Sequence, residues 1–247
     1  MSFGEGAERA ARAVAAVLER SPRTLGELEA ETGADADELA ALLVVLERHG
    51  LVALDADRGS ARPGAVALRF ARSDRGVADL IEAARPSMQR LTAESSETTN
   101  LILARPGGTE AVAQVDGSHL LGVTNWVGRP LGLHTTAAGK VFLAFGTATL
   151  PGGELAAPTA ATITDRERLT GELDAVRERG YATLADELEL GLSAVAAPVR
   201  ERGGDVVAVL SLSGATLRLA PQRLAVLGRL TVEQANEISI RLGYEPQ

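Results

Sequence analysis

Apolar residues recur at helical spacing over residues 7–19, with Ala10, Val14, Val17 and Leu18 on one stripe, and Ser21-Pro22 stops the run. Thr24, with Glu27 three residues on, forms a capping box for a short helix over 25–31, and Gly33 closes it. Asp35 or Asp37 opens a third helix that reaches about His49, with Leu39, Leu42, Leu43 and Leu46 inward and Gly50 at its end. The pattern then predicts a strand over 51–56, a turn over 57–64 and a second strand over 65–71. Three helices and a hairpin in this order make a winged helix-turn-helix, with the third helix placed to enter a major groove and the hairpin as the wing.

Residues 74–95 read as a helix broken or kinked at Pro86, the link between two domains. Beyond it the period changes. Segments 98–104, 109–115 and 118–124 alternate or run apolar between Gly-containing turns, as strands do. Residues 129–145 (RPLGLHTTAAGKVFLAF) read as a turn and then a helix capped by Thr135 or Thr136, its apolar face formed by Ala138, Val141, Phe142 and Phe145. A helix over 165–178, strands over 193–200 and 205–213, and a long last helix over 221–242 complete an α+β domain with an antiparallel sheet flanked by helices. The domains expected are 1–72, a linker helix 73–95, and 96–247.

Composition narrows the chemistry. The 247 residues include no cysteine, which removes disulfides, thiolate ligands and thiol nucleophiles, and three scattered histidines (His49, His119, His134) lack metal-ligand spacing. No metal site, cofactor or catalytic group is expected. No apolar run is long enough to span a membrane, and the acidic start lacks a signal-peptide core, so the expectation is a cytoplasmic protein with no membrane partner. The net charge is -8, and residues 1–72 alone carry twelve acids against nine arginines, which opposes tight non-specific nucleic-acid binding.

The 129–145 stretch contains the only lysine, Lys140, and one histidine, His134. A helix start presents unpaired N–H groups and a positive dipole end, suited to a carboxylate, although the same residues would serve simply as a cap and as packing. The stretch resembles the most recognisable segment of the IclR family of bacterial transcription regulators. A second match covers 179–214, through Arg179, Gly180, Tyr181, Glu187, Gly191, Ala197, Pro198, Val199, Ser211, Ser213 and Gly214. The resemblance implies a small-molecule effector domain related to GAF and PAS modules, holding an organic or aromatic acid. Carried onto this chain, the effector-binding positions are Thr136, Ala137, Ala138, Gly139, Leu184, Asp186, Ala194, Ser211 and Ser213. It also implies DNA as a partner and a homodimer or homotetramer.

Two departures from the family pattern stand out. Leu184 and Ala185 replace the first aspartates of the acidic loop, and Ala194 replaces a common cysteine. Both make the pocket more apolar and point to an effector with a larger apolar body than a two- or three-carbon acid. Trp126, the sole tryptophan, is a lid over the ligand, an interface anchor or plain packing. In the third helix, Asp35, Ala36, Asp37, Glu38, Leu39, Ala40 and Ala41 stand where the family offers base- and phosphate-facing groups. Carboxylates near phosphate repel by about 1 kcal/mol per close pair in water. Arg9, Arg12, Arg23, Arg58 and Arg62 remain as phosphate contacts, with Arg69 and Arg72 beyond the wing. The leading reading is an effector-responsive regulator. The alternative is a relative that lost specific DNA binding and acts as a ligand-binding or protein-interaction module. An enzyme using His134, Asp186, Glu187 and the serines lacks any nucleophile motif to frame them.

Overall fold

Three helices open the first of two units, Met1–Ala78, in the computed structural model, which describes residues 3–55, 57–71, 74–119 and 124–245. They are α1 (Phe3–Glu19), α2 (Leu25–Thr32) and α3 (Ala36–Arg48). Thr24 caps α2, accepting from Glu27 N–H while the Glu27 carboxylate accepts from Thr24 N–H, so the capping box is complete. Asp35 caps α3 by accepting from Glu38 N–H at 2.9 Å. Leu39, Leu43 and Leu46 of α3 meet Ala13, Ala16 and Val17 of α1 and Leu28 of α2 in one apolar cluster, while Leu42 is only half-buried.

The hairpin differs from its prediction. Strands β1 (Arg23–Thr24), β2 (Val52–Asp55) and β3 (Ser60–Pro63) form an antiparallel sheet in the order β1-β3-β2. The second strand of the hairpin therefore lies inside the stretch read as a turn, and residues 65–71 form helix α4 (Ala65–Ala71) instead of a strand. A run such as AVALRFA suits either period. Gly64 decides between them: a Cβ there would lie 2.2 Å from the Gly50 carbonyl oxygen, so the chain turns tightly against that corner. Val66 N–H then bonds to Gly50 O and Leu68 N–H to Gly64 O, which starts a helix. Arg and Pro in SARP hid the strand. Pro63 is tolerated because it is the strand's last residue.

Helix α5 (Asp74–Ser95) continues through Pro86 without a break. The second unit, Asp79–Gln247, holds a six-stranded antiparallel sheet in the order β6-β5-β4-β9-β8-β7. Its strands are β4 (Thr98–Arg105), β5 (Gly108–Val115), β6 (Pro130–Leu131), β7 (Ala182–Ala185), β8 (Leu192–Arg200) and β9 (Val206–Ala215). The strand expected over 118–124 falls mainly on residues 120–123, outside the described residues. Helices α6 (Ala137–Ala144), α7 (Arg166–Arg179) and α8 (Pro221–Arg241) complete the unit.

Strands β8 and β9 are buried almost end to end because both faces of the sheet are covered. Ala194, Ala196, Val209, Ile102 and Leu184 face α6, where they meet Ala138, Val141 and Phe142. Alternate residues such as Val195, Leu210 and Leu212 face the other way, and α8 packs on β8 and β9. At the corner between α5 and β4 the buried Glu97 takes two bonds from Arg218, at 2.8 and 2.7 Å, tying that corner to the turn after β9. No described helix is long and apolar enough to cross a membrane.

Candidate functional site

Helix α6 begins where the sequence pattern placed it. Thr136, extended at φ -129°, is the cap: its hydroxyl accepts from Gly139 N–H at 3.0 Å and donates to Gly132 O at 2.8 Å. Lys140 N–H makes the first intrahelical bond, to Thr136 O. The N–H groups of Ala137 and Ala138, the first of the helix, have no intrahelical acceptor and form its positive end.

That end opens onto a cavity of about 40 Å³ between α6 and the sheet, room for about three or four water-sized groups. Of the nine positions expected to bind an effector, seven line it: Thr136, Ala137, Ala138, Leu184, Ala194, Ser211 and Ser213. Two do not. Gly139 packs away from the cavity: a Cβ there would lie 2.1 Å from the Leu133 carbonyl oxygen, so glycine lets the preceding loop close on the helix. Asp186 sits at φ +60° and acts within its own loop, where Oδ1 accepts from Gly191 N–H at 2.8 Å and from the Thr216 hydroxyl at 2.7 Å.

The rest of the lining comes from Asn100, Ile102, Trp126, Leu131, Leu188 and Leu192. The walls are as apolar as Leu184 and Ala194 implied. Trp126 is held by its N–H to Gln114 Oε1 at 3.1 Å, with the Arg129 guanidinium 5.8 Å from its ring centre. Sequence reasoning missed Asn100, although a lone amide in the apolar strand TTNLILA is the kind of signal that finds such a residue. Its side chain is buried and Oδ1 has no partner among the described residues; the same is true of Ser213 Oγ. Ser211 donates to Val195 O at 3.2 Å.

Behind the cavity wall, the only lysine reaches the acidic loop. Lys140 Nζ lies 2.7 Å from Glu187 Oε1, and both are buried. Glu187 is thus a strut between α6 and the loop. His134 Nε2 bonds to Ala156 O at 2.8 Å and does not line the cavity.

The arginines expected to touch DNA fare unevenly. Arg23 is 6% exposed, bonds to Ala16 O and pairs with Glu31 and Glu27, so it is a core brace and unavailable to phosphate. Arg9 pairs with Glu38 of α3, and Arg12 with Glu8 on its own helix. Arg58 and Arg62 are exposed on and beside the hairpin, Arg58 3.8 Å from Asp55. The side chain of Arg69, and Arg72, lie outside the described residues. The exposed face of α3 presents Asp37, Ala40, Ala41, Val44 and Val45. Among the described residues no group of three or more His, Cys, Asp or Glu side chains is arranged to hold a metal ion.

Comparison with known proteins places this geometry. The profile described as the bacterial transcriptional regulator IclR C-terminal family matches residues 76–240. The HTH-type transcriptional regulator KdgR of Escherichia coli is 36% identical over 171 residues, 67% of this chain and 65% of that protein. The HTH-type transcriptional regulator KipR of Bacillus subtilis is 29% identical over 92% of both chains. Among solved structures, an IclR-family transcriptional regulator from Rhodococcus sp. superposes with a TM-score of 0.67 at 26% identity, covering 98% of this chain and 94% of that one. With the profile spanning most of the second unit and a relative above 30% identity over two thirds of the chain, this protein belongs to the IclR family of bacterial transcriptional regulators.

Proposed function

We propose that the chain is an effector-responsive transcription regulator that senses a small organic acid in the cavity at the start of α6. The observation that carries this reading is the meeting, in one pocket, of the α6 start, whose Ala137 and Ala138 N–H groups have no intrahelical acceptor, with the polar side chains of Asn100, Ser211 and Ser213. The first unit, with three helices and a three-stranded sheet, is read as the winged helix that presents α3 to DNA, in a homodimer or homotetramer. Titrating the purified protein with small carboxylic acids and following thermal unfolding tests the sensing role: a saturable rise in Tm supports it, and no rise with any acid contradicts it.

A second reading is favoured by α3. Its exposed face offers Ala40, Ala41, Val44 and Val45 beside Asp37, and two of the arginines expected at phosphate, Arg9 and Arg23, are paired within the unit. Such a face lacks the side-chain donors that read base edges and adds like charge to phosphate. On this reading the protein keeps the sensor and acts through another protein. A mobility-shift assay against the chain's own upstream region, with salt titration, separates the two: a discrete complex at micromolar protein or below supports direct DNA binding, and its absence at low salt supports the second reading.

A further inference from the structure

We infer that the exposed face of α3 binds the same face of a second copy of this chain, antiparallel across a two-fold axis. The inference concerns the first unit alone and does not rest on the effector cavity.

Helix α3 turns Leu39, Leu43 and Leu46 into the unit. Its outward face carries Asp37, Ala40, Ala41, Val44, Val45 and Arg48, with Val44 50% and Val45 48% exposed. Asp37 at one end and Arg48 at the other form no ion pair among the described residues. A strip with an acid at one end, a base at the other and apolar residues between is complementary to itself when reversed, which is the requirement of an isologous contact.

The register is specific. A two-fold axis that crosses the helix between Leu42 and Leu43 brings positions equally far from that point level with one another. Asp37 then comes level with Arg48 of the second copy, Ala40 with Val45, and Ala41 with Val44. A carboxylate meets a guanidinium at each end, and a small side chain comes level with a larger one at each step between, so the two axes can approach closely. Glu38 and Glu47, of like sign, also come level. They flank opposite edges of the face, and both are engaged within the unit, Glu38 by Arg9 and Glu47 by the Leu54 N–H at 2.8 Å. The antiparallel arrangement sets the two helix dipoles against each other favourably. A duplex offers no such match: phosphate repels Asp37, and the valines bring no donor or acceptor to a base edge. The 13 residues of α3 give a strip about 20 Å long, smaller than the roughly 800 Å² per partner of a stable interface. The contact is therefore weak alone and forms where copies are concentrated or joined elsewhere.

The chain has no cysteine, so an introduced thiol is the only one and reports the contact by cross-linking, which traps a weak encounter. The axis passes beside Val44, which puts the thiols of two Val44→Cys chains within disulfide reach. In oxidised glutathione, full-length Val44→Cys should form an intermolecular disulfide about fivefold faster or more than Ala30→Cys, a variant at an exposed position of α2. Adding Asp37→Arg or Arg48→Asp should slow the cross-link about tenfold at low salt, and the effect should fade as salt rises. Both reversals together should restore the rate to within about twofold, because the pair re-forms with its signs exchanged. All four positions are exposed, so each variant keeps the core of the unit. A cross-link at Val44 no faster than at Ala30, or a double reversal no faster than the single ones, overturns the inference. Protection of the Val44→Cys thiol from alkylation by the chain's own upstream duplex, with no cross-link in its absence, gives the face to DNA and overturns it too. None of these outcomes bears on the α6 cavity, so the sensor reading stands or falls separately.

Discussion

Helices α3 and α6 both start behind an extended residue whose side-chain oxygen accepts from the N–H three positions on: Asp35 from Glu38, and Thr136 from Gly139. Each helix is also pinned by one ion pair in its first turn, Arg9 to Glu38 and Lys140 to Glu187. The surroundings then diverge. Asp35 and Asp37 put carboxylates in water at the start of α3, where they offset the helix dipole. At α6 the cap is a neutral hydroxyl, the next three residues carry at most a methyl group, and the end faces a cavity with no charged side chain among its described lining residues. Identical local rules therefore produce one helix start whose dipole is offset by carboxylates and one with no carboxylate among its described pocket-lining neighbours. What separates them is the charge of the capping side chain and the burial around it.

The widest gap between the two should appear in their ion pairs. Lys140 is 1% exposed, so Lys140→Met leaves the Glu187 carboxylate buried without its partner and should cost about 3–5 kcal/mol. The double variant with Glu187→Leu should regain most of this, because an apolar pair of similar volume removes the uncompensated charge. Arg9→Ala breaks a pair whose side chains are 30% and 18% exposed and should cost about 1 kcal/mol or less. Denaturant unfolding of the three variants checks the ranking. Similar losses for Lys140→Met and Arg9→Ala would erase the distinction drawn here.

The two caps should be nearly equal in stability and opposite in function. Thr136→Ala and Asp35→Ala should each lose about 1 kcal/mol. Only Thr136→Ala should weaken acid-dependent Trp126 quenching, since only that cap borders the cavity. At α3, Asp37→Lys should raise affinity for duplex DNA about three- to tenfold at low salt, and the gain should fade as salt rises. Unchanged retention on DNA would mean that α3 does not approach phosphate at all.

Both helix starts were legible from residues alone to within two positions, as Asp35 or Asp37 and as Thr135 or Thr136, because capping hydrogen bonds close within one turn; the structure selects Asp35 and Thr136. The cavity was legible only through the family resemblance. Ser211 and Ser213 share a face by strand period, but nothing in the spacing brings Leu184 or Ala138 opposite them, since that depends on strand order. Asn100 was missed because its importance comes from pairing with Ser211 across two strands 111 positions apart. Arg23 was misjudged because arginine is usually exposed, whereas here the α1 carbonyl of Ala16 and two α2 acids draw it inward. Helix α4 was misread because an apolar run of seven residues fits both periods, and the close contact at Gly64 is not visible in the chain.

A third helix start sharpens the comparison at its smallest scale. At α2 the Glu27 carboxylate accepts from the Thr24 N–H at 2.8 Å and from its hydroxyl at 2.9 Å. The backbone bond above all, and then the hydroxyl bond, hold the Glu27 carboxyl below the ordinary carboxylate range. Here an acid is fixed by the cap instead of being left to meet a ligand or a phosphate. A depressed folded pKa means stabilisation that is full above the unfolded value and fades as pH falls through the folded one. Glu27→Gln should therefore lose slightly at neutral pH, and the difference from wild type should shrink on acidification. NMR titration of the Glu27 carboxyl carbon should give a midpoint below that of a glutamate in an unstructured peptide. A Glu27 midpoint at or above that of the peptide glutamate would show that the capping box does not hold the charged form, and that a carboxylate at a helix start in this unit behaves as a free surface charge.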